Sequence, residues 1–482
     1  MKIPNQTDSG IAQYCYCQLS KRIRTRLWVC LVVLGLSFSS LSSPSAAACQ
    51  EEQLVELQQR IEKLSEQGQP TDSKSLQAFH RKSSSNTDTD AWLNIGNLAV
   101  EGNLLQDVMK LPPAQVGERL IPANVPAPGQ EWANREHVEQ FLADWHEVAA
   151  SLELLAKGQL QADKHLYRPI VFQGTKTNLD MTQNARTLTH LPRLKHLVAV
   201  HDRDKETGFE HIRTMQGISR SFESEPVLIS QLMRLYIMSL VCEQVRHSLE
   251  FDQLSEEQMQ LIADELDDFE SLQRSFRLAL SGERAMMLPH YTDPDFARTE
   301  LSLSRRQAEA FMNNCGNDGI HYLDRMAEGL NLSEDDPTQF RQQADELEDR
   351  IQNDIETQNV FWKKKRQIAL ILLPSFGGLA NAVVRQCELN RMAKLAISLR
   401  QFQHKHKRWP TSLAELAQAE PATALLRPAN NQTFGYRVSD SGEAILWSVN
   451  GTKANRIPFD PPSLEGENLK LNRKFVWHFR AS

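Results

Sequence analysis

The sequence predicts a mainly α protein, a helical bundle or irregular α-solenoid with a small C-terminal α+β module. Three observations predict it. Glycine and proline number only 21 each in 482 residues, and glycine falls below its usual share of about 7%, so turn residues are scarce. Apolar residues recur at helical spacing through the middle of the chain. Strand-like alternation is confined to Phe434–Val438, Ala444–Val449 and Lys474–Arg480 near the C-terminus.

The chain opens with Lys21-Arg22-Ile23-Arg24-Thr25-Arg26, the uncharged Leu27–Leu36 and a small-residue stretch ending Ala46-Ala47-Ala48-Cys49. A basic segment, a short apolar segment and an A-x-A site make an export signal. The apolar core is shorter than the roughly 20 residues that span a bilayer. Residues 1–48 are therefore expected to be a signal peptide or an N-terminal anchor. Lipidation at Cys49 is a third reading, although the usual leucine three residues before the cysteine is missing. Either main reading places the remainder outside the cytoplasm, in the periplasm or at the cell envelope.

Residues 49–89 hold a short amphipathic helix and a polar linker. Leu54, Leu57, Ile61 and Leu64 form an a/d stripe of about two heptads, fitted to pair with a partner or to dock on the body. Ser83-Ser84-Ser85-Asn86-Thr87 belongs to the polar stretch after it.

Residues 90–365 read as the helical body. Glu131–Lys157 carries Val138, Phe141, Leu142, Trp145, Val148, Leu152 and Leu155 on one face, and Asn184–Val200 carries Leu188, Leu191, Leu194, Leu197 and Val198. A shorter helix covers Gly208–Phe222. Ser224-Glu225-Pro226 has the form of a helix start, with proline in the first turn. The helix it opens, through Val241, is apolar nearly all round and is expected at the centre of the body. Ser255-Glu256-Glu257-Gln258 is a capping box for a long helix with Ile262, Leu266, Phe269, Phe276 and Leu280 on one face. Charge-rich helices follow at 298–330 and 337–364.

Residues 366–482 begin with a second apolar stretch, Ile368–Val384, preceded by Lys363-Lys364-Lys365-Arg366. Pro374, Gly377-Gly378 and Asn381 interrupt it, so it reads as buried core rather than a membrane span. A helix from Ala380 to His406 ends in basic residues that complement its negative end. Pro410 stops it, Ser412-x-x-Glu415 caps a short new helix, and the strands follow around Ser439-Asp440-Ser441-Gly442-Glu443.

This C-terminal order resembles a module of exported bacterial proteins of unknown function, and is similar to the globular part of type II secretion pseudopilins. Arg408-Trp409-Pro410, Ser412-Leu413, Glu415-Leu416, Tyr436 and Trp447-Ser448-Val449-Asn450-Gly451 carry the resemblance, over about residues 385–482. In the body, Leu191-x-x-Leu194, Ser224–Val241 and Leu280-Ser281-Gly282-Glu283-Arg284-Ala285 look like the middle of the same exported proteins. The resemblance implies organisation, not an activity. Pseudopilins usually hold calcium with acidic residues near the strands. Here those places read Arg427-Pro428 and Gly451-Thr452-Lys453-Ala454-Asn455-Arg456, so no calcium site is expected, because calcium needs a cluster of oxygen ligands. The N-terminal processing pattern of pilins is also absent.

No motif names a reaction: there is no H-E-x-x-H, G-x-S-x-G, P-loop or dinucleotide-binding loop. His190, His196 and His201 lie six and five residues apart, which does not align them on one helical face. They read as solvated or capping groups, not metal ligands. The acidic run Asp264, Glu265, Asp267, Asp268 and Glu270 reads as a solvated helix face. Gly282 reads as a helix stop, and the adjacent Glu283 and Arg284 as charges that ion-pair with the next segment or, in the enzymatic alternative, as part of a site between helices. Cys242, Cys315 and Cys387 read as buried thiols, with one bridge among them as the alternative.

Net charge is −7 for the whole chain. Removing Lys2, Lys21, Arg22, Arg24, Arg26 and Asp8 with the leader leaves it near −11, which argues against a nucleic-acid partner. The expected function is a non-catalytic interaction or scaffold protein of the envelope, with a protein partner, no metal or cofactor, and membrane contact only through the N-terminal segment. The alternative is an enzyme with a site between the helices of the body.

Overall fold

The computed structural model describes residues 44–83, 89–111, 126–161, 170–300, 304–313, 315–333, 335–356, 369, 372–426, 434–448 and 476–479. These form a mainly α fold with one small antiparallel sheet. The N-terminal part holds α1 (Pro44–Glu66), α2 (Ser73–Ser83), α3 (Thr89–Glu101), α4 (Leu104–Lys110), α5 (Arg135–Asp144) and α6 (His146–Gln159). The middle holds α7 (Asp180–Leu188), α8 (His190–His201), α9 (Lys205–Arg220), α10 (Leu228–Glu250), α11 (Glu256–Asp264) and α12 (Phe269–Met287). Then come α13 (Pro289–Thr292), α14 (Pro294–Glu300), α15 (Arg305–Met312), α16 (Gly316–Leu330), α17 (Pro337–Glu356), α18 (Phe376–His406) and α19 (Leu413–Ala419). The strands are β1 (Gly435–Val438), β2 (Ala444–Trp447) and β3 (Val476–Phe479).

Helix α10 is central, as its all-round apolar pattern predicts. Leu240, Val241, Val245 and Leu249 join a core with α9, α11, α18 and the sheet. Met238 joins a second core with α1, α12, α16, α17 and α18. Met233 and Ile237 join a third with α3 to α9. No residue of α10 is exposed.

Several predicted helices are divided. The 131–157 helix breaks at Trp145, whose indole Nε1 donates to Asp107 Oδ2 at 3.2 Å. The ring edge lies against Gly102, where a Cβ would stand 2.4 Å from it. The 184–200 helix divides at Thr189. The capping box at Ser255 forms as expected, but its helix ends at Asp264. Asp268 then caps α12 by accepting from Ser271 N at 2.8 Å.

That second break corrects the solvated-face reading at Glu265 and Asp267, while Asp264, Asp268 and Glu270 are exposed. Asp267 takes a hydrogen bond from the buried Arg234 of α10 at 2.7 Å. Glu265 pairs with Arg213 and Arg220 of α9. These carboxylates serve cations on neighbouring helices, so the chain leaves helical geometry to present them.

The a/d helix docks on the body. Leu57 and Ile61 of α1 are buried in the second core. Gly316 and Gly319 of α16 let α1 approach closely: a Cβ on Gly316 would lie 2.8 Å from the Gln53 carbonyl carbon. The apolar stretch 368–384 is core in its described part, through Ala369, Phe376, Ala380, Val383 and Val384. Gly377, Gly378 and Asn381 do not interrupt α18, and Asn381 returns its amide to Gly377 O at 2.8 Å.

The sheet has the order β1-β2-β3, with Gly435 opposite Trp447 and Trp447 opposite Val476. Gly435 is required there, since a Cβ would stand 1.9 Å from the Trp447 indole. The Trp409-Pro410 turn is tied to the hairpin on both sides. Trp409 Nε1 donates to Gly442 O at 3.1 Å, and Tyr436 OH donates to Pro410 O at 2.8 Å. Ser412 caps α19 as expected. The strands and α18 share one continuous core with α9–α11, so apolar packing crosses the boundary read at residue 365.

Cys242, Cys315 and Cys387 are all buried and none is bridged. Residues 1–43, Arg427-Pro428 and 451–456 lie outside the described residues, and with them most of the leader and both places weighed for calcium. Among the described residues no helix is long and apolar enough to cross a membrane.

Candidate functional site

Glu283 and Arg284 were the polar pair nominated by the sequence, and the structure gives each a definite place. Gly282 does not stop a helix. It lies inside α12, which continues to Met287. Its role is close approach, because a Cβ there would stand 1.7 Å from the carbonyl oxygen of Pro226. Helix α12 thus presses directly on the segment leading into α10.

This contact explains why Ser224 is not the N-cap. Helix α10 starts at Leu228, with the extended Val227 as its N-cap and no side chain of its own segment capping it. The first N–H groups of a helix need acceptors. Glu283 supplies one across the interface, its Oε1 accepting from Leu228 N at 3.3 Å. A carboxylate at this end also meets the positive pole of the helix. Burial pushes the Glu283 carboxyl up to about 7, and the Leu228 N–H acts in the opposite direction.

Arg284 is not ion-paired with Glu283, although both act on the buried Tyr322 of α16. Arg284 is buried, and its Nη2 donates to Gln69 Oε1 at 2.5 Å, fixing the turn after α1. Burial lowers its pKa. A carboxyl near 7 has the titration of a general acid or base. Its oxygen is nevertheless spent on a helix end, and its neighbour on a loop.

An open groove of the body lies elsewhere, between α16 and α17, with a volume of about 730 Å³. His321, Asp324, Arg325, Glu328, Glu346 and Arg350 are among its lining residues. Its charges are mutually engaged. Arg325 bonds Glu328 and Asp354, each at 2.7 Å, Arg350 bonds Glu328 at 2.7 Å, and Arg60 of α1 bonds Asp324. Neither Glu283 nor Arg284 lines it.

The three sequence-nominated histidines are separated. His196 is fully buried, with Nδ1 3.0 Å from Gly208 O. His201 has Nε2 2.8 Å from Gln130 O and Nδ1 3.2 Å from Asp202 Oδ1. His190 opens α8. The reading as solvated or capping groups is corrected for His196, which is fully buried inside α8; His201 is buried at the C-terminal end of α8. Among the described residues no group of three or more His, Cys, Asp or Glu is placed to hold a metal.

Sequence reasoning passed over Glu388, in the middle of α18. It is buried beside Ser448, whose hydroxyl donates to its carboxylate. Burial pushes it up to about 8, against the pull of Arg341, Arg385 and Arg391. The only local signal was a glutamate among Val384, Cys387 and Leu389. That pattern does not reveal a partner 60 residues away.

No protein-family model, curated protein or solved structure matches this chain.

Proposed function

We propose that this chain is a non-catalytic interaction or scaffold protein exported to the cell envelope. The observation that carries the reading is the use made of Glu283 and Arg284. The best candidate acid and its neighbour are consumed in holding α12 to α10 and to the turn after α1, and among the described residues no metal-ligating group of three or more is assembled. An enzyme would need converging polar groups open to a substrate. The apolar side chains Leu98, Val100 and Leu105 stand exposed around the α3–α4 corner, which supports an association surface. The basic and apolar leader at 21–48 supports export.

The pseudopilin-like order of 385–482 is consistent with an envelope setting and supplies no chemistry. Since α1 docks on α16, its a/d stripe is not available to a partner, and any association uses other surfaces. Native electrophoresis of envelope extracts, probed for this chain, tests the reading. The chain is expected in a defined complex larger than its own mass, and Glu283→Gln leaves that complex intact. A monomeric cytosolic chain, or turnover of a small molecule abolished by Glu283→Gln, would contradict it.

A further inference from the structure

Two imidazoles are buried at the junction of α8, α9 and α10, and among the described residues neither has a carboxylate counter-ion. His196 of α8 and His247 of α10 are both buried, with ring centroids 6.0 Å apart. Gly208 O fixes one ring nitrogen of His196 as a donor; the other lies 3.4 Å from Ser248 Oγ, and the Gln244 backbone also bonds the ring, while burial dominates over both backbone contacts. His247 packs edge-on to Phe251 at 5.3 Å. The charges acting on the pair are cationic: Arg193 on His196, and Arg246 and His196 on His247.

The carboxylates of the surrounding elements are committed elsewhere. Glu243 pairs with Arg193, and Glu250 with Arg246. Glu153 of α6 holds Lys195 and lies 3.7 Å from His211. Asp204 caps α9. Glu206 accepts from Gln258 of α11, and Asp252 lies 2.7 Å from His404 of α18. On β3, His478 is a further neighbour of Arg246, and Glu443 and Arg437 act on it.

Both rings are almost wholly withdrawn from solvent, His196 at 0% and His247 at 2% exposure. Gly217 of α9 is pressed on α6 so closely that a Cβ would stand 2.2 Å from Ala156 O. A charge formed between these helices must stay dry or part them. We infer that the α8–α9 hairpin is an acid-opened clasp: protonation of His196 and His247 separates it from α10 and exposes its apolar inner face. That face includes Leu194, Leu197, Ile212 and Met215. The clasp works whether or not the chain binds a partner.

Its size follows from linkage. An imidazole that regains its ordinary pKa of about 6.5 on opening favours the open form about thirtyfold by pH 5, so two give about a thousandfold. Hydrogen-exchange protection factors along the chain, measured from about pH 7.5 to pH 5, read this directly. In the wild type, α8 and α9 amides are expected to lose about a thousandfold more protection than the His196→Gln/His247→Gln double variant loses. Each single variant recovers about thirtyfold. His211 also feels the charge on His196, so every comparison is made in a His211→Gln background. Parallel losses in wild type and double variant would overturn the clasp. If the double variant does not fold, the singles decide by the same criterion. A wild type that keeps α8–α9 protection within tenfold down to pH 5 overturns it without any variant.

Discussion

Glu283→Gln isolates the interaction that turns a candidate catalytic acid into a structural one. Glutamine keeps an oxygen for Leu228 N but cannot ionise. In the folded chain burial pushes the Glu283 carboxyl from 4.5 to about 7. Ionisation therefore costs about 3 kcal/mol more in the folded chain than in the unfolded one, at about 1.4 kcal/mol per pH unit. The sign follows from proton counting. Between 4.5 and about 7 the folded chain holds a proton that the unfolded chain has lost. The stabilisation tied to that proton is complete below 4.5 and is lost as pH rises through about 7. The variant lacks this loss. It should match the wild type near pH 4.5 and exceed it by up to about 3 kcal/mol at about pH 8.5. Urea unfolding of both proteins by circular dichroism, at several pH values, measures the difference. Histidine contributions are common to both proteins and cancel. Parallel pH profiles for the two would refute the buried cap at the α10 start.

The other predictions concern packing. Ile237 is fully buried at the centre of α10, so Ile237→Ala should cost about 2–5 kcal/mol of unfolding free energy. Gly282→Ala places a methyl 1.7 Å from Pro226 O, and backbone cannot yield as a side-chain tip does. The expected cost is about 1–3 kcal/mol, read as a lower thermal midpoint. Leu57→Ala removes the main α1 contact on α16, and limited proteolysis between α1 and α2 should become faster while α10 stays protected. For Glu388, pushed up to about 8, stability tied to its proton is present below 4.5 and lost as pH rises through about 8. Glu388→Gln should therefore raise the urea midpoint at about pH 9 and leave it nearly unchanged near pH 4.5.

The apolar periodicity of 224–241 was enough to identify the central helix, because a helix apolar on every face has nowhere to sit but the interior. The capping box at Ser255 and the cap at Ser412 were legible for a similar reason, since the interacting groups lie within one turn. Helix breaks were not legible at Trp145 or Asp264–Asp268. Each break satisfies a partner distant in sequence, Asp107 in one case and Arg234 in the other. Gly282 shows the same limit. Its lack of a side chain reads locally as a stop signal, but it serves contact with Pro226. The site reading followed this pattern. Glu283 could be singled out as a glutamate beside an arginine, and only the crossing of α12 over the start of α10 shows what it holds.

The central claim is that the chain acts by association and not by catalysis. The most direct measurement is native electrophoresis of envelope extracts from cells carrying the wild type, Glu283→Gln, or a Leu98→Ser/Val100→Ser/Leu105→Ser variant. One complex larger than the chain is expected for the wild type and Glu283→Gln. The triple variant should be folded by circular dichroism yet run at its own mass. A triple variant that remains fully in the complex would remove the assigned surface. A wild type that runs alone in every extract would contradict the claim itself.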